Sequence, residues 1–346
     1  PSRTPSRLER VMSGMSGRWT IAVAAVALVI LVAGATAAFA LRSGGDDAPD
    51  GLGYPPSDIA FAPDSVFDRE IPADQPLDPR SDELGAELAR QAREVGTGIN
   101  TDVFSIPVYT VPADQPTSKV TIDRDFAPVQ DQLLAVPIPD DARPAAGEDG
   151  HLVVWQPSTD TMWEFWQARR ESDGWHASAA GVIENASQSD GVIENPNGAT
   201  ATGLAAIGGV ITLNDLERGS IDHALAIAIP EPRANYWSAP ANRTDGWVDR
   251  EDAVPEGTTF RLDPDLDLDT LELHPLTRMM AEAAQKHGVI VRDFAGSTVF
   301  FGEDPTPSGS NAWERAYDGT PHWQIAQEFP WESLQALPLE LSTFNP

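Results

Sequence analysis

The stretch "NDLERGSIDHALAIAIP", residues 214–230, runs from a polar turn into a strand. From His223 to Ile229 large and small residues alternate strictly, which is the period of a β-strand. His223, Leu225, Ile227 and Ile229 share one face, while alanines line the other. The large face predicts core, so His223 sits at its rim with Asp215 and Asp222 just upstream. Such a histidine has two readings. With a pKa near neutrality it can relay protons; equally, it can pin the turn by bonding Asp215 or a backbone carbonyl.

Working outward, most of the chain reads as Pro- and Gly-punctuated strands. "HLVVW", a turn at "QPSTD" and "TMWEFWQA" predict a hairpin, and "GVIVRDFAGSTVFFGED" predicts another that turns at Ala295 to Ser297. "TTFRLDP" adds a further strand. Two helices stand out. "SDELGAELARQAREVG" sets Leu84, Leu88 and Ala92 on one face and stops at Gly96; "HPLTRMMAEAAQKHG" sets Leu276, Met279, Met280 and Ala283 in a stripe and stops at Gly288. These counts favour an antiparallel two-sheet β-sandwich of jelly-roll type with one or two packed helices. The adjacent copies "GVIENASQSD" and "GVIENPNGAT" pair Glu184 with Glu194, but one repeat of ten residues reads better as a loop expansion.

The N-terminal part has a different character. Trp19 to Leu41 carries no charge and is long enough for a transmembrane helix, with Arg3, Arg7, Arg10 and Arg18 before it and Asp46, Asp47 and Asp50 after. The expected organisation is a cytoplasmic tail over 1–18, a signal-anchor helix over 19–41, a flexible spacer over 42–57 and an extracellular β-rich domain over 58–346. A cleavable signal peptide ending at "AFA" competes with the anchor. Either way the cell membrane and an exported domain are implied. With no cysteine, disulfides, thiolate metal sites and thiol nucleophiles are excluded. The net charge of −30 argues against nucleic-acid binding, because such a surface repels phosphates.

Candidate chemistry rests on carboxylates, one histidine and tryptophans. Glu164 lies between aromatics in "TMWEFWQA", an environment that raises a carboxyl pKa; a solvent-facing strand position and an ion pair with Arg261 are equal alternatives. Asp293 ends a strand. Glu164 or Asp215 as acid, Asp293 as second carboxylate and His223 as relay would make a glycoside hydrolase, and His223 as base would make a polysaccharide lyase. Trp166, Trp237 and Trp247 are candidate sugar platforms, with "NYWSAPANRTDGW" as the binding loop. No cofactor is expected, except that Asp263, Asp265 and Asp267 resemble part of a calcium loop; Leu268 stands where that loop needs glycine. No zinc spacing, nucleophile elbow or dinucleotide fingerprint occurs.

From "DSVFDREIPADQPLDPRSDEL" onward, the chain resembles a group of exported, membrane-tethered bacterial proteins with no assigned activity. "PVYTVPADQPTSKVTID", "DGHLVVWQPSTDTMWEFW", "GGVITLNDLERGSIDHALAIAIP", "VPEGTTFRLDP" and "AAQKHGVIVRD" carry that resemblance. It implies a type of protein and transfers no catalytic residue. Two functions are therefore expected side by side: binding or cleavage of cell-envelope polysaccharide, or a non-enzymatic surface domain.

Overall fold

The computed structural model describes residues 51–123 and 128–344. Helix α1 is Ser81–Val95. Strands follow at Thr97–Asn100 (β1), Val108–Thr110 (β2), Val120–Ile122 (β3), Leu152–Gln156 (β4), Thr161–Trp166 (β5), Arg169–Glu171 (β6), Gly174–Ala177 (β7) and Ala179–Glu184 (β8). The short helix α2, Leu213–Arg218, precedes β9, Leu225–Ile229, and β10, Tyr236–Ser238. Then come β11 (Thr259–Leu262), α3 (Pro275–Lys286), β12 (Val289–Phe294) and β13 (Thr298–Phe301). Helices α4 (Ala312–Tyr317) and α5 (His322–Gln327) and strands β14 (Leu334–Ala336) and β15 (Leu341–Thr343) complete the order.

The jelly-roll sandwich is not what forms. A six-stranded mixed sheet, ordered β1-β13-β9-β12-β11-β14, is covered by helices on one face and faces a four-stranded sheet, β2-β4-β5-β8, on the other. A three-stranded sheet, β3-β7-β6, lies beyond the second, and β10 pairs with β15 separately. The fold is mixed α/β. Strand β9 explains why. Its large residues, Leu225, Ile227 and Ile229, bury against Leu84 and Leu88 of α1 and Met280 of α3. Each such burial is worth about 1.5–3 kcal/mol. Its alanines are equally inaccessible and face a second core with Val153, Met162 and Ile183. A strand buried on both faces belongs inside a layered α/β structure, where parallel neighbours are common. Indeed β9 runs parallel to β12.

The predicted hairpin over residues 288–304 is corrected by the same strand. β12 and β13 do not pair with each other; β9 lies between them, parallel to one and antiparallel to the other. The β4–β5 hairpin does form, in the register Leu152 opposite Phe165. Strand β5 repeats the two-faced pattern: Met162 enters the core shared with β9, whereas Trp163 and Phe165 enter a third core with Val120, Leu133 and Trp175.

The alanines of β9 are small for a geometric reason. Residues 205–210 cross directly over them, and Ala226 N–H donates to Gly209 O at 2.8 Å. A side chain on Gly209 would start 2.6 Å from the Ala226 nitrogen, and its φ of +70° also favours glycine.

The transmembrane expectation is corrected too. Among the described residues no helix is long and apolar enough to cross a membrane. The stretch 19–41 itself, with the tail and most of the spacer, lies outside them.

Ala226→Val tests the close approach. Adding two methyl groups beneath Gly209 is expected to cost about 1–3 kcal/mol by overpacking, read as a lower urea midpoint with an unchanged slope.

Candidate functional site

Asp215 and His223 meet, as a fastening. Thr212 caps α2 in a capping box: its hydroxyl accepts from Asp215 N–H, and the Asp215 carboxylate accepts from Thr212 N–H at 2.8 Å. Arg218 and the Thr212 hydroxyl also bond the carboxylate, and His223 Nε2 reaches it at 3.0 Å. His223 Nδ1 donates to its neighbour's carbonyl, Ala224 O, at 2.8 Å. Both ring nitrogens thus face acceptors, an arrangement that suits the imidazolium. Burial alone would lower the His223 pKa, but the Asp215 hydrogen bond and charge outweigh it and hold the ring above its ordinary value. Burial likewise pushes Asp215 up, yet its bonds to His223 and Thr212 win and keep it low. A hollow of about 670 Å³ opens beside the pair. Their polar atoms are already spent on each other and on the turn.

Glu164 is also structural. It is completely buried, and its two oxygens accept the amides of Ala199 at 2.6 Å and Ala206 at 2.7 Å. Burial raises its pKa, against the pull of those amides and of Arg292 and Arg243. Arg261, its expected partner, instead donates to the carbonyls of Pro72 and Ala73 and to Gln335. From the facing sheet, Arg292 on β12 lies 3.9 Å over the Phe301 ring and donates to the carbonyls of Ala206 and Gly208. The irregular segment 199–208 is therefore held by a carboxylate through its amides and by a guanidinium through its carbonyls.

That segment walls a cleft of about 390 Å³. Asp149 and His151 line it from the chain leading into β4, Trp166 from the end of β5, Ala199 to Ala201 from the held segment, Arg243 to Asp245 from a loop, and Asp293 and Phe294 from the end of β12. Asp245 and Asp293 converge there with Glu256: one carboxylate oxygen from each lies within 4.8 Å of the other two. At an effective dielectric near 20, two unit charges at that spacing repel by roughly 3 kcal/mol. Burial, the charge of Asp245 and, less, that of Asp149 push Asp293 up to about 7, against the opposing charge of Arg292. Burial and the two neighbouring aspartates push Glu256 well above its usual range. His151 is driven down to about 4, chiefly by burial, so its ring is neutral. Two buried atoms at this site have no hydrogen-bond partner, Glu256 Oε1 and His151 Nδ1.

The sequence-derived residues divide cleanly. Asp293 and Trp166 line the cleft, Glu164 stands behind its wall, and Asp215 and His223 line the other hollow. Trp237 packs on Phe344, and Trp247 donates to Pro230 O; neither lines the cleft. Their loop does contribute, through Arg243, Thr244 and Asp245. Asp263 and Asp267 accept the amides of Asp265 and Asp269 in local turns, and the three aspartates form no common cluster among the described residues. Glu184 and Glu194 are both exposed, while Ile183 and Ile193 of the repeated "GVIEN" enter one core. The residues missed are Asp149, His151, Arg243, Asp245, Glu256 and Arg292. "RTDG" and "PEG" carry only turn chemistry, so their meeting with Asp293 leaves no local signal.

Two measurements check these assignments. Glu164→Gln turns an amide donor toward a backbone N–H and is expected to lose about 1–3 kcal/mol in chemical denaturation. For His223, whose folded pKa is raised, the ion-pair stabilisation is complete below the unfolded value of 6.5 and is lost as pH rises through the folded one. The Tm gap between wild type and His223→Gln is therefore expected to be wide at pH 6 and to narrow in alkali. Among known proteins, no family model, no curated protein and no solved structure matches this chain, so the reading of the cleft rests on its geometry.

Proposed function

We propose that the cleft between the six- and four-stranded sheets recognises a glycan. The observation that carries this is its inventory of groups. Acceptors dominate: the carboxylates of Asp149, Asp245 and Asp293 and the unpartnered Nδ1 of His151 outnumber the guanidinium of Arg243, which donates to the carbonyls of Asn197 and Thr200. A ligand rich in hydroxyl donors complements such a lining, and a phosphate or other polyanion does not. The walls supply the second requirement. Trp166 is held by its Nε1–H, which donates to Asp149 at 3.2 Å, and Phe294 stands 46% exposed at the rim. Flat aromatic faces suit the apolar C–H faces of sugar rings.

A second reading, cleavage, is favoured by one distance. Asp245 and Asp293 bring two carboxyl groups together with oxygens no more than 4.8 Å apart, inside the roughly 5–5.5 Å that retaining glycosidases use.

The test is a glycan array probed with the whole chain, followed by an assay for new reducing ends on any sugar retained. Trp166→Ala is expected to weaken retention about tenfold, the equivalent of about 1.4 kcal/mol of ring contact. New reducing ends that vanish in Asp293→Asn establish cleavage as well. An array with no retained sugar, or retention that Trp166→Ala leaves intact, overturns the reading.

A further inference from the structure

We propose that Asp245, Glu256 and Asp293 together hold one divalent cation of the calcium class where Asp245 and Asp293 line the cleft. This deepens the glycan reading by naming a cofactor for the same cleft, but it stands on the three carboxylates and is tested without sugar.

The three residues come from separate pieces of chain: the loop carrying Arg243 to Asp245, the turn before β11, and the end of β12. Oxygens bound to one calcium ion at about 2.3–2.6 Å lie no more than roughly 5 Å from each other. The carboxylate oxygens here meet that condition, each within 4.8 Å of the other two. An acidic cluster alone would not make a site, since exposed carboxylates often gather without a ligand. Glu256 is different. It has no exposed surface, and its Oε2 is taken by the Thr244 hydroxyl at 2.5 Å and the Asp245 amide at 3.1 Å. No donor group reaches its sealed-in Oε1, and the side chain that meets this carboxyl, Asp245, is another acid. Two carboxyls in contact, one of them buried, are costly unless they share a proton, and a bound cation takes that proton's place.

The neutral, buried His151, also unpartnered at Nδ1, adds a second unmet atom to the lining. The donor set fixes the class of ion. Three carboxylates and no thiolate suit a hard cation, and their irregular placement suits calcium better than the strict octahedron of magnesium. Asp245 is exposed at the opening, so the remaining coordination positions face the cleft, where water or ligand hydroxyls complete the shell.

A second cluster, Glu171, Asp173 and His176, also converges, but both ring nitrogens of His176 already bond Asp123 and Asp173. Arg169 occupies Glu171. None of that group's atoms is buried without a partner, and it carries no comparable argument.

The whole chain, stripped with chelator, is titrated with calcium chloride in a calorimeter and, in parallel, with terbium excited through tryptophan. One saturable site is expected, with a Kd of about 10⁻⁵–10⁻³ M. Asp245→Asn and Glu256→Gln are each expected to weaken uptake about tenfold or more, while Asp267→Asn, in the acidic turn before α3, leaves it unchanged. Asp245 lies at the opening, so its variant keeps the test valid even if Glu256→Gln does not fold. No uptake by wild type, or uptake that survives both Asp245→Asn and Glu256→Gln, overturns the proposal. Trp166→Ala separates the two ideas, because it is expected to lose sugar and keep the cation. A chain that takes calcium but no glycan retains this site and discards the glycan reading.

Discussion

The buried carboxylate of Glu164, gripping the amides of Ala199 and Ala206, is the contact on which the cleft depends. Segment 199–208 has no helix or strand of its own, yet most of it is buried between two sheets. Backbone groups in that position need partners, and regular structure does not provide them. Glu164 takes amides from the side of β5, and Arg292 gives to carbonyls from the side of β12. Opposite charges thus act on opposite ends of the same peptide dipoles. The cost of burying each ion is offset by bonds to the segment and by their mutual field.

The same device recurs elsewhere. Glu303, fully buried, accepts the amides of Ser57 and Leu213, and Asp215 accepts that of Thr212. Part of the acidic excess is therefore structural: carboxylates serve as fasteners for irregular chain in a protein that has no cysteine to staple it. The alanine face of β9 is the complement of this device. Small residues leave the volume that the crossing segment fills, and Gly209 brings the backbone down onto Ala226.

Local pattern was legible in the sequence wherever periodicity alone decides the element. Helices α1 and α3, the β4–β5 hairpin and the two faces of β9 could all be read in advance, because each follows from spacing within a dozen residues. Sheet order could not. Strand β9 sits between β12 and β13, and a short link at residues 295–297 imitates a hairpin that long-range pairing overrides. In the site, Asp293 was visible at a strand end and Trp166 as a candidate sugar platform. Asp245 and Glu256 were not, since a carboxylate in a turn looks the same whether it caps an amide or joins a cluster. His223 drew attention for a sound reason, its place at a core rim beside Asp215, and there its Nε2 meets the Asp215 carboxylate at 3.0 Å.

Strands β9 and β5 each divide two cores, so every layer of the molecule shares a wall with the next. Such an arrangement has no natural hinge. Opening one layer strips the facing side of its neighbour, so amides in these strands exchange with solvent only when the whole domain opens. The cleft built between the sheets inherits that stiffness. A ligand of the proposed kind would meet a surface already in its final shape, would encounter it without waiting for closure, and would take little chain entropy from the protein in staying.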